Sequence, residues 1–202
     1  ICSGATTGIA ITTPNLVAGT TYTWVVQSNP GGVTGATAGS GATIAQTLVN
    51  PTNLQQTVVY RITPRSGAGC DGATFDVNAV VDPTPNVSTT PASQVICSGA
   101  STNITITNPN AVAGTTFSWT VVQAGVTGAA AGSGASIAQA LSTTVAVQGT
   151  ATYTITPTAG SCAGTPVVVI VTVNPLPDAT ASNQTICSGA TTGIAITTPN
   201  LV

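Results

Sequence analysis

The sequence contains no histidine, lysine, glutamate or methionine. Its ionisable side chains, cysteine and tyrosine apart, are Arg61, Arg65, Asp71, Asp76, Asp82 and Asp178. Charged residues make up 3% of the chain, against roughly 25% in ordinary soluble proteins. Nucleic-acid binding draws on Lys and Arg to neutralise phosphates, and two arginines cannot supply that. Electrostatic steering of a charged ligand is weak for the same reason. Long apolar runs are also missing. The longest, "VVVIVTV" from Val167 to Val173, falls far short of the roughly 20 residues a membrane-spanning helix needs, so no membrane insertion is expected.

The scarcity of charge argues against disorder as well, because disordered chains are charge-rich and poor in β-branched residues. This chain is packed with Thr, Val and Ile. Those side chains are stiff at χ1 and suit a pleated surface, so the expected class is all-β. Solubility then rests on hydroxyls and amides. The triplets at Asn86, Asn103 and Asn183 match the N-glycosylation pattern, although chance matches are expected in so Thr- and Asn-rich a chain.

Repetition organises the whole sequence. "ICSGA" occurs at Ile1, Ile96 and Ile186, in steps of 95 and 90 residues. "AGTTYTW" (Ala18 to Trp24) returns as "AGTTFSW" (Ala113 to Trp119), and "GVTGATAGSGATIAQTL" from Gly32 returns as "GVTGAAAGSGASIAQAL" from Gly125. "YRITP" at Tyr60 returns as "YTITP" at Tyr153. The first seventeen residues reappear as Ile186 to Val202, as expected of a stretch of a longer array that alternates two module types. Pro-rich stretches at Val81 to Asn86 and Val173 to Asp178 read as linkers, since proline cannot donate to a sheet ladder. The expected modules are therefore 1–83, lacking its first strand, 84–175, complete, and 176–202, the start of a third.

Alternation supplies the strands of the complete module. Ile104 and Ile106 share one face. Phe117, Trp119 and Val121 share another, as do Ala151, Tyr153 and Ile155, and Val167, Val169, Val171 and Val173. An initial strand near Val87 to Val95 and one or two around Ile137 to Val147 bring the number to about seven. That pattern, with Trp on the third strand, describes an immunoglobulin-like sandwich. Trp24, Trp119, Tyr60 and Tyr153 are expected to be core aromatics.

No constellation supports catalysis. Acid–base chemistry needs a group titrating near the working pH, and only Asp is available. Asp71, Asp76 and Asp82 have no counterparts in the second copy, where Ala163, Val168 and Asn174 align with them. No base stands by to activate a serine. Calcium wants six to eight oxygens, and the carboxylates are scattered. No enzyme activity, metal or cofactor is expected.

The five cysteines, Cys2, Cys70, Cys97, Cys162 and Cys187, fall at two equivalent positions per module. Their spacing does not suit metal clusters, so Cys2, Cys70, Cys97 and Cys162 are expected to form structural disulfides, which implies an oxidising exterior. Intramodule pairs, Cys2–Cys70 and Cys97–Cys162, are expected. In a standard sandwich the first and last turns lie at opposite poles, so a bridge from Cys2 to Cys162 is the alternative. Cys187 would have its partner beyond Val202.

The combination "ICSGA…TTFSWTV…YTITPTAGSCAGTPVVVIVTVNP" resembles the PKD-like (polycystic-kidney-disease-type) repeats of giant surface adhesins of Bacteroidota. The resemblance implies export to the cell surface by a type IX pathway and, for some members, a part in gliding motility. Where PKD domains proper carry a "WDFGDG"-like stretch, this chain has "WVVQSNPGG" and "WTVVQAGVT".

Two functions of different class follow. The first is a structural stalk or spacer of an extracellular, cell-surface adhesin or filament. Its partners would be neighbouring modules, and stalks could associate sideways into fibres because charged edge residues are lacking. The second is a multivalent module binding a glycan or other surface ligand by avidity, suggested by the loop "GVTGA…AGSGA" that both copies share.

Overall fold

The computed structural model describes residues 1–199, and among them there are strands, turns and loops but no helix. Residues 200–202, the end of the expected third module, lie outside the described residues. The chain forms two compact units. The first comprises Ile1–Asn86 together with two turns of the second repeat, Asn108–Thr115 and Pro157–Thr165. The second comprises Val87–Thr107, Thr116–Thr156 and the chain from Pro166 onward. Packing and repetition thus divide the sequence differently.

In the first unit an antiparallel sheet runs in the order Gly39–Ser40, Thr21–Ser28, Gln56–Arg65, Phe75–Val81. Period-two alternation turns Val58, Tyr60 and Ile62 inward, and none has any exposed surface. Tyr22 and Trp24 join them from the neighbouring strand. The other side of this core is Ile9–Ala10 paired with Thr43–Ile44, which brings in Ile11, Ile44 and Leu48. Each buried Val, Ile or Leu is worth about 1.5–3 kcal/mol, so hydrophobic contact rather than charge holds the unit together.

The second unit is a β-sandwich of the immunoglobulin-like kind. One sheet runs Gly132–Ser133, Thr115–Ala124, Gly149–Ala159, Val167–Asn174, Ser93–Cys97, the last two parallel. The other runs Ser136–Ile137, Ile104–Thr107, Ser88–Thr90. The single initial strand expected near Val87 to Val95 is two strands in opposite sheets. Pro91 stands between them without an N–H to continue the ladder, so the chain crosses over there. The core gathers Ile104, Ile106, Trp119, Ile137, Tyr153 and Val169 with their neighbours.

Candidate functional site

The cysteines distinguish this chain from a plain pair of sandwiches. Cys2 is disulfide-bonded to Cys162 across 160 residues of sequence, with the two Cα atoms 5.5 Å apart. Cys70, Cys97 and Cys187 are free and exposed. The intramodule pairs Cys2–Cys70 and Cys97–Cys162 therefore do not form, and the structure adopts the alternative. The physical reason is strand length. Cys2 bridges Asp82, beside the end of the sheet where Gln56 pairs with Val81. Cys70 accepts a hydrogen bond from the Ser66 amide just beyond Arg65, at the far end of the same ten-residue strand. Nine steps of about 3.3 Å separate those ends by roughly 30 Å, and a disulfide tolerates a Cα separation of no more than about 7 Å.

Around the bond, the first unit packs the linker of one repeat onto the polar end of the next. Asn110 donates from Nδ2 to the Thr84 carbonyl (2.9 Å), and its Oδ1 accepts from the Asn86 amide (2.9 Å). Asn53 Nδ2 donates to the Ala111 carbonyl at 3.4 Å. Pro85 is buried, as are Pro157 and Cys162. Gly164 lies so close to the Pro85 carbonyl that a Cβ there would overlap the oxygen. A glycine is required at that contact.

The equivalent surface of the first repeat is open. Val17 is 42% exposed where its counterpart Val112 is 4% exposed. Cys70 and Gly72 are exposed where Cys162 is buried and Gly164 half-buried, and Pro64 is half-buried where Pro157 is buried. These open positions line a groove of about 520 Å³, together with Tyr22 and Phe75. The ion pair Arg65–Asp71 (2.8 Å) stands at its rim, where the second repeat has Thr158 and Ala163.

The aromatics occupy the two cores. Trp24 and Trp119 are buried and donate from Nε1 to the carbonyls of Thr37 (3.2 Å) and Ala130 (3.1 Å). Tyr60 and Tyr153 are fully buried, and their hydroxyls donate to Oε1 of Gln46 and Gln139 at 2.8 Å. Each Gln also grips its own loop, donating to the carbonyl of Thr37 or Ala130 and accepting from the same residue's amide. Thr7 and Thr102, both buried, donate to the carbonyls of Ile44 and Ile137 and accept from the amides of Gln46 and Gln139.

This network accounts for the loop that both copies share. Its Gly39 and Gly132 lie flat against the indoles, where a Cβ would come 2.6 and 2.7 Å from the Trp ring. Those two glycines and the glutamines serve internal packing, whereas Gly41 and Gly134 of the same loop meet no neighbouring atom and stand at positive φ, as a turn requires. The sequence reading singles out the Trp and Tyr positions and passes over Thr7, Thr102, Gln46 and Gln139. The signal was present in the recurring "IAQ", although a polar residue inside an apolar stretch reads as solvent-facing until its partners are known.

Burial raises the pKa of both Tyr60 and Tyr153 above the ordinary phenol value of about 10. The unfolded chain therefore loses these protons first. Their contribution to stability is complete below about pH 10 and falls as pH climbs from there toward the folded values. A urea-midpoint series should be flat from pH 6 to 9 as far as these groups are concerned and decline above 10. In Tyr60→Phe/Tyr153→Phe the alkaline decline should shrink.

Among the described residues the side-chain ion pairs are Arg61–Asp76 and Arg65–Asp71, both solvent-exposed. The Arg61 hydrogen bond lowers the Asp76 pKa, yet exposed pairs of this kind are screened and weak. The melting temperature should hardly move between low and high sodium chloride. A shift of many degrees would contradict a core held by apolar contact.

Comparison with known proteins places the sequence. The family model described as PKD-like domain matches residues 1–85 and 94–177. The chain belongs to the PKD-like domain family. No curated protein matches it significantly. Among solved structures, this PKD-like chain is similar to the fibronectin(III)-like modules of Clostridium thermocellum CbhA, with 14% identity, TM-score 0.35, and 87% of this chain and 88% of that one covered. It is also similar to the human desmocollin-1 ectodomain, with 10% identity, TM-score 0.33, and coverage of 88% and 40%. Mouse cadherin-23 EC22-24 gives 16%, 0.33, 88% and 62%. The PKD-like chain thus spans less than two thirds of the desmocollin and cadherin chains it matches.

Proposed function

We propose that this chain is a structural spacer of an extracellular protein, with sandwiches in tandem serving reach and not turnover. The Cys2–Cys162 bond carries the reading, because it ties the start of one repeat to the far hairpin of the next. A disulfide of this kind belongs to an oxidising compartment, which supports an extracellular location. Membership of the PKD-like family fits a structural or adhesive role and not a catalytic one. The finer reading is a stalk segment of a cell-surface adhesin of the gliding type, exported by a type IX pathway, and it rests on the resemblance of the repeats. Sideways association into fibres would use the outward-facing Val95, Val122, Val168 and Ile170, all exposed.

Screening the intact chain on a glycan array tests the spacer against the binding module. No dose-dependent binding is expected. Saturable binding to one glycan class would overturn the spacer reading.

A further inference from the structure

The outward sheet faces of the two units differ in chemistry although their strands repeat. In the second unit the cross-strand partners Thr150–Thr172, Thr152–Ile170 and Thr154–Val168 lie side by side. They alternate with the buried Ala151, Tyr153, Val169 and Val171, so they point away from the core. Val95, the partner of Thr172 on the next strand, and Val122 on the opposite flank extend the face. Val95, Val122, Val168 and Ile170 are all exposed, and none of these positions carries a charge. In the first unit the same positions read otherwise. Arg61 and Asp76 stand where the second repeat has Thr154 and Val168, and their ion pair lies across the sheet. Asn78 replaces Ile170, and Gln27 replaces Val122. Val25 and Val80 are exposed there too, but covering that face would strip water from the ion pair, which is costly.

We propose that the outer sheet face of the second unit docks on the same face of a second copy of this chain, as an isologous pair. The surface chemistry names the occupant. A hydroxyl both donates and accepts, so the row Thr150, Thr152 and Thr154 finds partners in its own image. A purely apolar partner would leave those groups unpaired, at a cost in free energy. With no formal charge on the face, two copies meet without repulsion. Their valine and isoleucine side chains then interleave as they do between the sheets of a sandwich, with the backbones about 10 Å apart. Four strands about 4.8 Å apart, rising about 3.3 Å per residue, give a face of roughly 450 Å² and a pair of roughly 900 Å². That is below the standard interface size, so the dimer is weak and reversible. An isologous contact closes on itself, so each such face joins two chains and no more. The inference rests on the sideways-association reading above, and adds which unit makes the contact and what covers it.

The test is sedimentation equilibrium of the full chain, in a Cys70→Ser/Cys97→Ser/Cys187→Ser background that keeps thiol chemistry out of the measurement. A monomer–dimer equilibrium is expected, with Kd on the order of 100 μM, as suits an interface this small. Thr154→Arg/Val168→Asp gives the second face the ion pair that the first unit carries in the same register, and should weaken the dimer at least about tenfold. Val122→Gln/Ile170→Asn, again the first unit's own residues, should weaken it without adding charge. Val25→Asp, on the first unit's face, should leave Kd unchanged. Circular dichroism and urea midpoints check that each variant is folded. A dimer indifferent to both second-face variants, or one lost in folded Val25→Asp, would overturn this inference while leaving sideways association standing. A chain that stays monomeric up to about 1 mM, roughly ten times the expected Kd, would sink both.

Discussion

Pulled from its two ends with the Cys2–Cys162 bond intact, the chain is expected to lengthen only through the segments outside that bond. Residues 3–161 lie inside a covalent loop, and force applied at Ile1 passes through sulfur into Cys162 without reaching them. Reduction should release the hidden length. The bond spans a separation of 160 residues, and at about 3.3–3.6 Å per extended residue that is roughly 550 Å of new contour. Force spectroscopy with and without a reductant reads this directly. The expected trace is short when oxidised and longer by that amount when reduced. Equal lengths in both states would contradict a closed loop. In the chain-entropy account, closing a loop of that size also stabilises the fold by about 5 kcal/mol, so Cys2→Ser should lower the urea midpoint.

Gly164→Ala is expected to destabilise the first unit by about 3 kcal/mol, at the upper end of what overpacking costs. The obstacle is the Pro85 backbone carbonyl, and the Pro157 ring, 2.9 Å from the new Cβ, blocks retreat on the other side. Gly72→Ala is the control, because it is the same residue of the repeat and meets nothing nearer than the Pro64 ring at 3.1 Å. Its cost should be smaller by about 2 kcal/mol or more, since no linker covers it. Paired urea titrations measure the difference. Similar costs at the two positions would mean that the linker contact at Pro85 carries little energy.

The contrast between those two glycines marks how much could be read from the sequence. Class and strands were legible because period-two alternation is a local signal: Val58, Tyr60 and Ile62, or Val169, Val171 and Val173, declare a buried face within a few residues. The split of the first strand at Pro91 was less so, because a proline says where a ladder stops and not which sheet the chain joins next. Val145 and Val147 stand 57% and 61% exposed in a turn after Ser142–Thr143, although their alternation suggested strand. The cysteine pairing was the least legible. Spacing alone favoured partners within a module, and only the distance between the two ends of Gln56–Arg65 decides against it. Self-similarity within the sequence reveals the repeat, but neither it nor the family resemblance says which sulfurs meet.

The aspartates offer a direct test of the central claim. Cleavage before Asp71, Asp76, Asp82 and Asp178 puts Cys2 and Cys70 on one fragment, 1–70, and Cys97 and Cys162 on another, 82–177. Thiols of the monomer are first alkylated, and the chain is then unfolded and cut by an aspartate-specific protease without reductant. A bond from Cys2 to Cys162 predicts that 1–70 and 82–177 stay joined, with alkyl groups on Cys70 and Cys97. Separate fragments, each closed by its own internal disulfide, would contradict it.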